Sequence, residues 1–184
     1  MKINRFIGAV VAVAVAVTAI VVPATTAQAV PSWSVSMMNG ETDRYLTIGN
    51  GSSSDGAPAI QWSKLEGQEQ LWAFTKVRDV SGDDWDEWII TNVHSGDCLA
   101  IPAGSHADGA GAIQWTCGTN PFDGSRGIDD QRWYVQSDPV LGGYRIKNYN
   151  SDKCLAIPNG NWTLGIQAIQ WTCAADRDQR WWLF

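Results

Sequence analysis

Residues 98–102 and 112–117 read Cys-Leu-Ala-Ile-Pro and Ala-Ile-Gln-Trp-Thr-Cys, and residues 154–158 and 168–173 repeat both strings letter for letter. The turn ahead of each pair is shared too, as Asn-Val-His-Ser-Gly-Asp at 92–97 and Asn-Tyr-Asn-Ser-Asp-Lys at 148–153. A fainter copy carries Asn39, Tyr45-Leu46-Thr47-Ile48 and Ala59-Ile60-Gln61-Trp62-Ser63-Lys64. Every copy closes on Gln-x-Trp: Gln70-Leu71-Trp72, Gln131-Arg132-Trp133 and Gln179-Arg180-Trp181. Self-similarity of this kind marks an architecture assembled from repeated supersecondary units. Matching positions are displaced by 53 and then 56 residues (Ile60 to Ile113 to Ile169), so insertions fall in loops. The units run over about 31–78, 79–138 and 139–184.

Cysteines obey the same frame. Cys98 and Cys117 stand 19 apart, as do Cys154 and Cys173, and the first unit has Tyr45 and Lys64 at those places. Losing both members together selects Cys98 with Cys117 and Cys154 with Cys173. Each bridge closes a loop of about 20 residues, worth roughly 3 kcal/mol in the chain-entropy model. The chain's two histidines, His94 and His106, stand outside any Cys-x-x-Cys spacing, so no metal site is expected.

Apolar runs at Trp33 to Met38, Trp88 to Val93, Tyr144 to Tyr149 and Gln179 to Phe184 are separated by Gly, Ser, Asn and Asp clusters, the pattern of short strands. No long stretch after position 29 carries a helical period. Four strands per unit predict an all-β domain of about twelve. One unit exposes an apolar face that it cannot bury alone, so three must close around a pseudo-threefold axis, which also removes sheet edges.

Lys2 and Arg5 precede an apolar segment, Phe6 to Val22, followed by Ala27-Gln28-Ala29. This predicts a secretory signal peptide over 1–29 and a mature domain over 30–184, a single domain by length. Secretion to an oxidising compartment fits paired cysteines, and no later stretch is long and apolar enough to span a bilayer. Setting aside Lys2 and Arg5, 11 basic residues face 19 acidic ones, a balance of −8. Such a surface repels phosphate backbones, so nucleic acid is not an expected partner. The chain lacks a Gly-x-Ser-x-Gly elbow, His-Glu-x-x-His and a phosphate-binding glycine loop, and neither enzymatic activity nor a cofactor is expected.

The triple Gln-x-Trp, the disulfide within a unit, and the Cys-Leu-x-Ile or Tyr-Leu-x-Ile strand resemble the ricin B-type lectin family, a β-trefoil. The likeness covers essentially 31–184, and extends to carbohydrate-binding modules that actinobacteria attach to secreted glycan-degrading enzymes. The resemblance implies a secreted, monomeric, non-catalytic protein that binds a galactose-type sugar or polysaccharide at up to three shallow sites. A sugar ring needs an aromatic platform for its C–H face and fixed acceptors and donors for its hydroxyls. The residues that suit this are Trp171, Asp178 and Gln179 with Asn159, Asn161 and Trp162 in the third unit. In the second they are Trp115, Asp130 and Gln131 with Ser105, His106 and Asp108, and in the first Trp62, Glu69 and Gln70 with Asn50 and Asp55.

In sugar-binding members an Asp usually follows Cys-Leu, where this chain has Ala100, Ala156 and Thr47. Either the acid comes from elsewhere, with Asp130, Asp178 and Glu69 ahead of each Gln-x-Trp able to supply it, or the sites have decayed. A decayed scaffold would act as a protein-binding or inhibitor module. Gln-Trp-Thr-Cys is one residue tighter than the family's common spacing, which leaves Trp115 and Trp171 open between platform and core. Trp72, Trp133 and Trp181 are expected to plug the barrel. Gln70, Gln131 and Gln179 either hold a turn or touch ligand. The run Asp83-Asp84-Trp85-Asp86-Glu87 reads as a solvated connector.

Overall fold

A computed structural model describes residues 34–78, 86–119, 127–140 and 142–184. The expected signal peptide, and Asp83, Asp84 and Trp85 of the acidic run, lie outside them. Twelve strands follow in order: β1 (Ser34–Asn39), β2 (Tyr45–Ile48), β3 (Ala59–Trp62), β4 (Leu71–Arg78), β5 (Glu87–Asn92), β6 (Cys98–Ala100), β7 (Ile113–Trp115), β8 (Arg132–Ser137), β9 (Tyr144–Asn148), β10 (Cys154–Ala156), β11 (Ile169–Trp171) and β12 (Trp181–Leu183). The only helices among the described residues are single 3-10 turns. Of the expected strands, the last begins later: Gln179 ends a 3-10 turn at Arg177–Gln179, and the strand starts at Trp181.

Strands β1, β4, β5, β8, β9 and β12 pair antiparallel in a closed ring, while β2–β3, β6–β7 and β10–β11 form three hairpins over one end. The repeated Ala of Ala-Ile-Gln-Trp explains how the hairpins meet. Ala59 N–H donates to Ala112 C=O (3.0 Å), Ala112 to Ala168 (2.7 Å) and Ala168 back to Ala59 (2.9 Å), a cycle about the pseudo-threefold axis. All three alanines are fully buried. A larger side chain there would be forced into an interior already packed solid. This is a β-trefoil.

The closing tryptophans fill the barrel as expected. Trp72, Trp133 and Trp181 are fully buried, and their indole N–H groups donate to Leu46, Leu99 and Leu155 C=O at 3.0, 2.9 and 2.9 Å. A buried indole costs free energy unless its N–H is satisfied, so each plug also anchors its own unit's second strand. Both expected disulfides are present, with Cα–Cα separations of 5.1 Å (Cys98–Cys117) and 5.0 Å (Cys154–Cys173). The reading of the acidic run as a solvated connector needs correcting at its end. Glu87 is buried in β5 and lies 3.4 Å from Arg132 Nη1, itself buried, because a carboxylate inside the barrel wall requires a charged partner.

Units are stitched by side chains that the repeat itself supplies. Gln61, Gln114 and Gln170, the third letter of Ala-Ile-Gln-Trp, are fully buried. Gln170 Nε2 donates to Ser105 and Ala107 C=O (2.7 and 3.0 Å), and its Oε1 accepts from Ser151 Oγ (2.6 Å). Gln114 grips Ser52 and Ser54 with Ser95 below it, and Gln61 grips Asn161 and Thr163 with Thr42 below it. Each glutamine thus clamps two carbonyls of the preceding unit's loop and displays the residue between them: Trp162 at Gln61, Ser53 at Gln114 and His106 at Gln170. The turn asparagines work similarly. Asn148 Nδ2 donates to Asp130 C=O (3.0 Å), Asn92 to Glu69 (2.9 Å) and Asn39 to Asp178 (2.7 Å), fixing the residue ahead of every Gln-x-Trp.

Candidate functional site

A cleft of about 440 Å³ opens in the third unit, lined by Ala156, Asn159, Trp171, Asp178 and Gln179 among others, with Glu41 of the first unit as its far wall. Trp171 ends β11 with its outward side chain 46% exposed, and Trp115 ends β7 at 47%. The open question about them is resolved toward the surface. In a hairpin strand, alternate residues face opposite sides, so an inward Gln170 or Gln114 sends the following Trp outward. Asn159 takes a left-handed backbone (φ 54°) and Gly160 follows at 59°, a conformation that Asn tolerates better than most residues. The kink folds the loop beside Asp178.

Asp178 has one carboxylate oxygen, Oδ1, buried without a protein partner, and Asp130 is the same in the second unit. Asp130 Oδ2 accepts from Gly104 N–H at 3.2 Å, whereas Gly160 N–H donates to Ile157 C=O at 3.0 Å. Desolvation raises both carboxyls above the usual carboxylate range, with the charges of Asp176 and Glu41 adding to the effect at Asp178 and that of Asp129 at Asp130. Ala156 lies on the same cleft, so a carboxylate does face the space where the missing family Asp would project. The first unit has a smaller cleft of about 240 Å³, lined by Thr47, Asn50, Trp62, Leu65 and Glu69 among others.

Several of the expected contact residues are bonded to other parts of the fold. Gln131 and Gln179 are buried with both amide ends spent on backbone. Gln179 accepts from Ala174 N–H (2.7 Å) and donates to Thr172 C=O (3.0 Å), and Gln131 does the same with Gly118 (2.9 Å) and Thr116 (3.0 Å). They hold the segment that follows Trp115 and Trp171. Asp108 belongs to the junction with the third unit: it accepts from Thr172 N–H (2.7 Å) and faces Lys153 Nζ at 2.8 Å. The Lys153 hydrogen bond holds its carboxyl below the usual range. Asp55 makes the matching bonds to Thr116. Asn161 caps its own loop at Thr163 N–H (2.9 Å) and gives its C=O to Gln61. Trp162 is exposed, as expected, but is not on the wall of the third cleft. His106, its counterpart, lies 3.3 Å from Asn150 Nδ2.

The Gln61/Gln114/Gln170 clamp was the feature that sequence reasoning missed. The invariance of that letter across three units was the available signal, but its partners are carbonyls about a unit away, where no motif points.

The family profile described as a ricin-type beta-trefoil lectin domain matches residues 33–181. Among solved structures, the chain is similar to a designed threefold-symmetric protein, ThreeFoil, at 29% identity and a TM-score of 0.70, covering 82% of this chain and 96% of that one. It is similar to part of an exo-β-1,3-galactanase from Clostridium thermocellum at 26% identity and a TM-score of 0.69, covering 83% of this chain and 30% of that one. A Macrolepiota procera ricin B-like lectin, solved in complex with lactose, shares the fold at 19% identity and a TM-score of 0.62, covering 85% of this chain and 97% of that one. No curated protein sequence matches.

Proposed function

The chain belongs to the ricin-type β-trefoil lectin family, and from that premise we propose that it binds carbohydrate, as an exported, non-catalytic protein, through shallow clefts at the ends of its hairpins. The observation that carries this is the third cleft, where the exposed indole of Trp171 and the half-buried Asp178 line the same space. The two groups do different work. Trp171 receives the apolar C–H face of a sugar ring, a contact worth about 1 kcal/mol beyond the area it covers. The Asp178 carboxylate, half-buried on the cleft wall, accepts from a ring hydroxyl and so fixes the orientation of the ring.

A carboxylate placed at Asp178 takes over the duty of the Asp that Ala156 replaces. This supports the lectin reading over a scaffold whose sugar sites have decayed. Shallow sites of this size bind weakly, about −4 kcal/mol or millimolar each, and useful retention comes from several sites on one polymer. The test is affinity electrophoresis through gels containing galactan, xylan or arabinan. Retardation by at least one polymer, weakened in Trp171→Ala and Asp178→Ala proteins that remain folded by circular dichroism, is expected. Free migration through all three gels would reject the proposal.

A further inference from the structure

One loop of the third unit, residues 158–165, touches two clefts. Its first part, Pro158, Asn159 and Gly160, lines the third cleft. Its middle is seized by Gln61, which donates to the carbonyls of Asn161 and Thr163, and the chain neighbours of Gln61, Ile60 and Trp62, line the first cleft. Its end lies on the platform itself: a Cβ placed on Gly165 would stand 3.6 Å from Trp62 Cζ3. Between the two clamped carbonyls the loop displays Trp162, 54% exposed.

The three junctions differ in what they place there. At the other two the displayed residues are Ser53 and His106, and the loop is pinned by Asp55 to Thr116 and Asp108 to Thr172. At the junction of the third unit with the first, the pinning positions hold Leu164 and Ser63, and Trp162, Leu164, Trp62 and Leu65 are all exposed. An apolar strip therefore runs between two clefts that hold carboxylates, Asp178 and Glu41 at one end and Glu69 at the other.

We propose that the third cleft, the Trp162 crest and the first cleft form one continuous surface that takes a single polysaccharide chain along its length, so that this face recognises internal stretches of polymer. This rests on the carbohydrate reading above and names its substrate class. The charge pattern selects the occupant. A neutral polyol lays C–H faces on the indoles and donates hydroxyls to the carboxylates at both ends. A second copy of this acidic chain would set carboxylate against carboxylate.

Calorimetric titration with β-1,3-galacto-, xylo- and arabino-oligosaccharides of one to eight units tests it on the full domain. In the series that binds, affinity is expected to rise at least tenfold from the monosaccharide to the octamer. Trp162→Ala should cut that ratio below threefold, with the melting temperature as a check on folding, and Ser53→Ala, the equivalent display position, should leave the ratio unchanged. Equal affinity for all lengths in the wild type, or a ratio unaltered in Trp162→Ala, would overturn the track while leaving single-cleft sugar binding intact. Absence of binding in all three series would remove the carbohydrate reading and the track together. Sedimentation showing a dimer that Trp162→Ala dissolves would assign the strip to a second copy and overturn the proposal.

Discussion

Replacing Gln170 with Leu should melt the domain markedly earlier, although the side chain lines neither the third nor the first cleft. The amide is fully buried and makes three bonds, to Ser105 C=O, Ala107 C=O and Ser151 Oγ. Leucine fills a similar volume and matches none of them, so three polar groups lose their partner in a place water does not readily reach. At about 1 kcal/mol each the loss is about 3 kcal/mol. For a domain of this size 1 kcal/mol moves the melting temperature by roughly 2–4 °C, which gives a drop of about 6–12 °C. Thermal unfolding followed by far-UV circular dichroism measures it. The freed loop also carries Gly109, on which a Cβ would stand 3.7 Å from Trp171 Cζ3, so the Trp171 platform should loosen and sugar affinity fall with stability. A shift under about 3 °C would refute the clamp as a fastening between units and leave Gln170 as a filler of space.

Other outcomes follow from the same geometry. Trp171→Ala should lower sugar affinity about tenfold, corresponding to about 1.4 kcal/mol, with little change in melting temperature because the ring is half exposed; titration with the retained polymer checks it. Asp178→Asn should stabilise the fold at neutral pH. Desolvation raises the folded-state carboxyl above its unfolded value of 3.8, so the native state binds the proton more tightly and the wild type loses stability as pH rises through that window. Melting curves of the two proteins should therefore converge near pH 3 and separate above it, with the variant higher, and the opposite order would refute the desolvation argument. Removing Cys154–Cys173 by a double alanine substitution should cost roughly 3 kcal/mol, seen as a lower denaturant midpoint.

The fold was legible because the repeat was. Two units identical over Cys-Leu-Ala-Ile-Pro and Ala-Ile-Gln-Trp-Thr-Cys imply identical local structure, and a hairpin with one apolar face has to find others like it. The pairing of cysteines and the burial of Trp72, Trp133 and Trp181 came with that symmetry. What was not legible lies between units. Asp108 reads as a residue of its own loop, yet its acceptor work is done for Thr172, 64 positions on. Asn161 and Trp162 read as one group with Asn159, but Gln61 pulls them across the junction while Asn159 stays at the cleft. Gln179 sits on the cleft wall, and only the atoms show that both ends of its amide are committed. A repeat states what each unit contains and leaves unsaid which neighbour each polar group serves.

That division also explains how one scaffold yields unequal clefts. The groups that fasten the units, the alanine cycle, the glutamine clamp and the turn asparagines, lie away from solvent and are the same three times over. The groups that shape the clefts lie outside them and are free to differ. In the third unit the Arg177 guanidinium donates to Gly40 C=O (2.8 Å from Nη2) and stands 3.4 Å from Glu41 Oε2. Both side chains are well exposed, so the ion pair adds little stability; its effect is to hold the first unit's turn against the third cleft as a wall. The equivalent repeat positions at the first cleft's junction are Gln68 and His94, a pair without a carboxylate, and the first cleft is about 240 Å³ against about 440 Å³ for the third. The wall of the third cleft is thus built by residues of two different units meeting across a junction, Arg177 of the third and Glu41 of the first.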